Sequence, residues 1–349
     1  MNFILTLIIL LFILGVLVSI HELGHFIAAK KMGIYVYEFC LGMGPKVKGF
    51  KRKNDETEYT IRLFPIGGFV AMANERDGNQ KLKNEQILAN KKFYQKLIVL
   101  SAGIIMNLVL ALLLLFVSGL VFGSPETKAI IGGVEEGYPA YDAGLQKGDL
   151  VLELNGEKVN SWDDITLALN EKEIADSYIF TVQRETGETI NLEVVPKKEK
   201  IEGETRYVFG ISSSSEKEYG LAAAFKYTGN KFVSMLDSMV TILGKLFTGQ
   251  IGMDKLSGPV GMYTVIDTVK SNGVENIIYL IAFLSVNVGV INIIPIPVFD
   301  GGRILLTIIE KIKGGKINPK IEIYLNYFGF LLLIFLMIYV TLNDIIRLL

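Results

Sequence analysis

Hydrophobic positions along the chain gather into four long blocks: about Phe3 to Ala29, Leu97 to Phe122, Ile277 to Val298 and Ile321 to Val340. Each is long enough to cross a hydrocarbon core of about 30 Å. Lipid offers no partner to backbone N–H and C=O groups, so segments this apolar are expected to be helices. Only Met1 and Asn2 precede the first block, with no basic leader and no small-residue cleavage site after it. It therefore reads as a retained helix and not as a secretory signal peptide.

The segment between the second and third blocks, about Gly123 to Glu275, is polar and changes its periodicity. Ala129 to Val134 reads as a strand, and Pro139 to Leu145 as a turn with a short helix. Asp149 to Leu154 alternates like a strand and meets the turn pair Asn155-Gly156. Ser161 is placed to cap a helix from Trp162 to Asn170. Tyr178 to Gln183 and Thr189 to Val195 form a strand pair around Glu185-Thr186-Gly187. From Leu221 to Val269 the pattern is helical, interrupted at Gly249 to Gly261. One further segment, EYTIRLFPIGGFVAM from Glu58 to Met72, alternates, is rich in β-branched and aromatic residues and carries Gly67-Gly68. It predicts a β-hairpin between two membrane helices. Non-helical backbone at that depth survives only where protein covers it or where it lines a wet cavity.

Charge adds an orientation. Lys30, Lys31, Lys46, Lys48, Lys51, Arg52 and further lysines lie between the first two blocks; Arg303, Lys311, Lys313, Lys316 and Lys320 lie between the last two. Short basic loops stay in the cytoplasm. That rule places both termini and the long middle segment outside it. Over the 349 residues, half of them apolar, the net charge is −1, which gives no footing for nucleic-acid binding. Cys40 is the single cysteine, so neither an internal disulfide nor a cysteine-based metal site is available.

The chemistry concentrates at the end of the first block, His21-Glu22-Leu23-Gly24-His25, which uses both histidines of the chain. Residues four apart share a helix face, so the two imidazoles can hold one Zn²⁺ while Glu22 takes a proton from water. Ionisable groups in a membrane helix are costly and default to function. Zinc needs a third protein ligand and leaves a fourth position open. The expected choice is a carboxylate. Asp300 closes the run Asn292-Ile293-Ile294-Pro295-Ile296-Pro297-Val298-Phe299-Asp300-Gly301-Gly302, where the prolines break the helix. The run predicts Asp300 on irregular backbone at the cytoplasmic end of the third block, the same side as His21 and His25.

These residues resemble the site-2 protease family of intramembrane zinc metalloproteases, and in particular its bacterial RseP-type branch. HELGH matches the family's HExxH. NIIPIPVFDGG matches its N-x-x-P-x-P-x-x-D-G, with Phe299 where leucine is more usual. Gly67-Gly68-Phe69-Val70 is similar to the family's membrane-reentrant β-loop, and Gly103 with Asn107 to its G-x-x-x-N element. Ser257 to Gly261 also resembles a family segment. Pro139-Ala140, Ala143-Gly144-Leu145 and Gly148-Asp149 are similar to bacterial PDZ domains, with room for one such domain where the best-known enterobacterial members carry two.

The resemblance implies a polytopic α-helical membrane protein with four transmembrane helices, a membrane-associated β-hairpin and an inserted α+β PDZ domain. The expected organisation is residues 1–122 as the first half of the protease core, 123–200 as the extracytoplasmic PDZ domain, 201–275 as linker and amphipathic helices, and 276–349 as the second half of the core. The implied activity is zinc-dependent cleavage of transmembrane segments, with one Zn²⁺ on His21, His25 and Asp300 and Glu22 as the proton carrier. Asn107 or Asn292 would donate to the oxyanion or serve as interhelical glue. A strand around Ile61, Leu63, Gly67, Gly68 and Phe69 would pair with an unwound substrate. The implied partners are the lipid bilayer, single-pass membrane proteins such as anti-sigma factors, or remnant signal peptides, trimmed first by a site-1-type protease. Two other classes are a PDZ scaffold and a metal transporter. The first predicts a damaged metal site, and the second a line of polar groups through several helices.

Overall fold

The computed structural model describes residues 2–74, 82–169, 175–201, 204–253 and 256–348. Among the described residues, four helices are long and apolar enough to cross a membrane: α1 (Asn2–Lys31), α2 (Phe93–Phe122), α7 (Val274–Ile293) and α9 (Pro319–Leu348). The chain divides into two compact units, one of Met1–Leu114 with Leu256–Leu349, the other of Leu115–Lys255.

In the first unit α1 packs on α6 (Pro259–Ser271) and α7 through Ile13, Leu17, Ile266 and Leu284. Helices α1 and α2 approach closely because Gly24 faces α2. A β-carbon there would collide with the Ala102 carbonyl and with Met106 Cγ, 2.7 Å away. Small residues of this kind let membrane helices pack backbone to backbone. At the far end of α9, buried Asp344 accepts hydrogen bonds from the backbone N–H groups of Gly258 (2.9 Å) and Gly261 (2.8 Å). It thereby caps the first turn of α6 from another helix.

Glu58–Met72 is one strand, β2, and not a self-contained hairpin. It pairs with β1 (Val36–Lys51), a strand that the sequence pattern did not disclose. Gly42 and Gly44 (both φ +88°) let β1 bend, and its two arms pair separately with β2. Residues 36–41 lie between 68–72 on one side and 58–61 on the other, while 46–51 also pair with 58–62. The result is a small sheet with arm 68–72 at one edge. Glycines, a proline and three lysines in β1 hid its strand character, because pairing with a remote segment outweighs local propensity.

Helix α7 stops at Ile293, not Val298, because Pro295 and Pro297 lack the N–H groups that a continuing helix needs. The chain then turns, and Asp300 is the first residue of α8 (Asp300–Lys313), not part of irregular backbone. The last helix runs past Val340 to Leu348.

The second unit is built from β3 (Ser124–Pro125), β4 (Ile131–Val134), α3 (Pro139–Asp142), β5 (Leu150–Leu154), β6 (Glu157–Lys158), α4 (Trp162–Leu169), β7 (Tyr178–Gln183), β8 (Thr189–Val194), β9 (Lys197–Ile201), β10 (Glu204–Val208), β11 (Ile211–Ser213), β12 (Lys217–Glu218) and α5 (Leu221–Phe247). A four-stranded sheet in the order β6-β5-β7-β8 packs with α4 around Phe180, Val151, Ile165 and Ile131. Ser161 caps α4 as expected: its Oγ accepts from Asp164 N–H at 3.3 Å, and Asp164 returns a bond to Ser161 N–H at 3.0 Å. The expected last residue of that helix, Asn170, lies outside the described residues. Strand β11 pairs with β4, which puts residues 211–213 in a sheet and not in a linker.

Candidate metal centre

Three donor atoms converge from two helices. His21 Nε2 lies 3.0 Å from Asp300 Oδ2, His25 Nε2 lies 3.1 Å from the same oxygen, and the two Nε2 atoms are 3.2 Å apart. His21 and His25 project from one face of α1, as the four-residue spacing requires. Asp300 arrives from the first turn of α8, 275 residues beyond His25. Ligands about 2.0–2.1 Å from a tetrahedral ion stand about 3.3 Å from one another, so this triangle fits one ion with a fourth position open. All three residues are buried.

The second helix supplies the support. The Val99 carbonyl lies 2.8 Å from His25 Nδ1. A carbonyl only accepts, so His25 carries its proton on Nδ1 and presents a lone pair at Nε2. One turn on, Gly103 leaves the room that both rings occupy: a β-carbon there would stand 2.5 Å from His25 Nε2 and 2.7 Å from His21 Nε2.

The triad opens on a cavity of about 860 Å³ that Glu22 also lines, with Phe69 and Val70 of β2, Asn292 of α7 and Arg303 of α8. Val70 lines the same cavity as Glu22, and a β-carbon on Gly68 would come 3.7 Å from Glu22 Cγ. The edge arm 68–72 therefore runs past the glutamate. Gly68 and Phe69 belong to that arm, and Gly67 directly precedes it. Ile61 does not: its arm is paired on both sides, with Leu41 and with Lys48, and it has no free edge to offer. Leu63 is exposed and absent from the cavity wall. The two asparagines also separate. Asn292 is on the wall, but its Nδ2 donates to the Val288 carbonyl of its own helix at 2.9 Å. Asn107 sits behind the triad, fully buried, with Nδ2 3.4 Å from His21 Nδ1. No sequence signal marks Val99, because a backbone carbonyl acceptor has no residue signature. Arg303 was visible only as a loop charge, although it follows Asp300 by one helical turn.

Two imidazoles and a carboxylate around one open position, with a glutamate alongside and in a chain of membrane helices, define a membrane metallohydrolase. Comparison with known proteins makes the class specific. Residues 9–336 match peptidase family M50, and the chain belongs to that family. It is 32% identical to the regulator of sigma-W protease RasP of Bacillus subtilis, with 99% of each chain covered. It is 34% identical to the zinc metalloprotease RasP of Bacillus licheniformis, covering 98% of this chain and 99% of that one. A third relative, the zinc metalloprotease RasP of Shouchella clausii, is 33% identical with the same coverage. The protein is thus a zinc-dependent intramembrane metalloprotease with several membrane-spanning helices.

Proposed function

We propose that His21, His25 and Asp300 hold the catalytic zinc and that Glu22 carries the proton in hydrolysis of peptide bonds within substrate transmembrane segments. The observation that carries this reading is the meeting of three ligand atoms, all within 4.8 Å of one another, in a cavity that Glu22 shares. Zinc, when bound, supplies Lewis-acid activation of water and stabilises negative charge at the scissile carbonyl. Glu22 accepts a proton from the attacking water and passes it to the departing amine. The donor set agrees with the ion: neutral imidazole nitrogens and one ionised carboxylate oxygen suit zinc.

A substrate helix has to unwind before its carbonyl reaches the site, and the freed backbone needs partners. The edge arm 68–72, which runs beside Glu22, takes this role by strand addition. The basic loops orient the site toward the cytoplasm, with the termini and the PDZ-like second unit outside. Substrates in this reading are single-pass membrane proteins already trimmed by a site-1-type protease, or remnant signal peptides. The name of the Bacillus subtilis relative, a regulator of sigma-W, favours anti-sigma factors. The test is Glu22→Gln in reconstituted protein. The variant should bind zinc like the parent and lose at least about 10³-fold in cleavage of a transmembrane reporter. Cleavage within tenfold of the parent overturns the assignment of Glu22, and zinc binding that survives His21→Ala overturns that of the ligands.

A further inference from the structure

Asn107 has a specific task that the family pattern leaves open between oxyanion donor and interhelical contact. Its position on α2 is fixed. Val99, Gly103 and Asn107 follow at i, i+4 and i+8, one face of the helix, and that whole face is turned to the two imidazoles. Ser285 of α7 pins the same turn by donating its hydroxyl to the Asn107 carbonyl at 2.8 Å. The Asn107 side chain is fully buried, and it is absent from the wall of the substrate cavity.

Hydrogen-bond polarity decides what the amide does. Asn107 Nδ2 faces His21 Nδ1 at 3.4 Å, while Asn107 Oδ1 is buried with no hydrogen-bond partner among the described residues. An amide nitrogen only donates, so this orientation requires an unprotonated Nδ1 on His21. A neutral imidazole then carries its proton on Nε2, the atom that faces Asp300 at 3.0 Å and has to hold the metal. That arrangement blocks the ligand and strands a buried oxygen. A half-turn of the amide frees the ligand atom, since its nitrogen and oxygen are distinguished only by the bonds they make. Oδ1 then accepts from His21 Nδ1–H, and Nε2 turns its lone pair to the site. This is the arrangement His25 already has with the Val99 carbonyl.

We propose that Asn107 is a positioning residue for the metal ligand His21, acting as a hydrogen-bond acceptor that fixes the imidazole's tautomer and ring plane. The inference rests on the reading of His21 as a zinc ligand. Orienting acceptors behind ligating histidines are worth ten- to hundred-fold in metal affinity. The Val99 carbonyl and the Asn107 amide then form a matched pair, one acceptor per imidazole, delivered by a single helix two turns long at this site.

The experiment measures zinc affinity of the full-length protein in lipid nanodiscs by chelator competition, for the parent, Asn107→Leu, Asn107→Asp and His21→Ala. Leucine keeps the bulk and removes the acceptor. Aspartate keeps the acceptor and cannot donate when ionised. Asn107→Leu should weaken zinc binding ten- to hundred-fold, and Asn107→Asp should stay within about threefold of the parent. Cobalt-substituted protein gives a second reading: the d–d bands should shift in the leucine variant and hold in the aspartate one. Parent-like affinity in Asn107→Leu, with His21→Ala impaired, overturns the role of Asn107 alone. Equal losses in Asn107→Leu and Asn107→Asp show a donor or a packing role and overturn it as well. If the aspartate variant fails to fold, the leucine variant's affinity and cobalt spectrum decide. Undiminished zinc binding by His21→Ala would instead sink the ligand assignment beneath it.

Discussion

Replacing Gly103 with alanine tests whether α2 shapes the metal centre. The added β-carbon would sit 2.5 Å from His25 Nε2 and 2.7 Å from both Cε1 and Nε2 of His21. Ordinary contact distances are about 3.5–4.0 Å, so relief requires about 1 Å of movement. The backbone has little of it to give. His25 is tied to Val99 at 2.8 Å on the same helix, and the close approach of Gly24 to Ala102 locks α1 onto α2. The rings must move, and metal–ligand bonds tolerate only about 0.2 Å. Overpacking of one methyl costs about 1–3 kcal/mol of stability, which a helical bundle absorbs. A displacement of about 1 Å in a catalytic group costs about 10²-fold in rate. Gly103→Ala should therefore fold, lose most of its zinc affinity and cleave a transmembrane reporter at least about 100-fold more slowly. Ile105→Ala, on the exposed face of the same helix, is the control and should match the parent. Zinc affinity and cleavage within threefold of the parent in Gly103→Ala would refute the picture of a face carved for two imidazoles.

Two further outcomes follow from polar anchors remote from the centre. Asp344→Ala removes both bonds that cap α6 and should destabilise the protein by about 1–2 kcal/mol, read as a lower thermal midpoint. Asp344→Asn, which keeps an acceptor, should lose less; equal loss would show that the buried charge and not the cap matters. Asp55 accepts from Lys30 at 2.7 Å, from Thr57 N–H at 3.0 Å and from the Tyr59 hydroxyl at 2.8 Å. The Lys30 bond leads in holding its carboxyl well below the usual range, against a modest opposing effect of burial. A depressed carboxyl contributes stability that is present above its unfolded pKa of about 3.9 and is lost as the pH falls through the folded value. Asp55→Asn should thus be less stable than the parent at pH 7, with the gap narrowing below about pH 4. A gap that is constant over that range would remove the carboxylate as its source.

What could be read from the sequence and what could not divide along one physical line. His21, Glu22 and His25 lie on a single helix, so their spacing alone brings them together. Asp300 is reachable through a second local fact, the prolines that end α7, joined to a charge pattern from which both segments are expected on one side of the membrane. Its helical setting was missed because Asp300-Gly301-Gly302 looks like a turn, yet the glycines let the first turn of α8 settle against the Ile293 and Ile296 carbonyls, where any β-carbon would collide. Strand β1 was hidden for the opposite reason: its glycines and lysines carry no strand signal, and only pairing with β2 gives those residues a shape. The same line separates Ile61, which alternation marks as a strand residue but whose edges are taken, from Val70, which lies on the free arm. Alternation identifies a strand but says nothing of which edge is already taken. The support face of α2 belongs to this second kind of information. Val99, Gly103 and Asn107 sit in a uniformly apolar helix, where periodicity distinguishes no face. Their importance exists only once α1 crosses α2 at a fixed rotation, with a carbonyl, a gap and an amide presented in turn to the two rings. The candidate metal site thus draws its proposed ligands from residues that declare themselves, and its geometry from a neighbouring helix that does not.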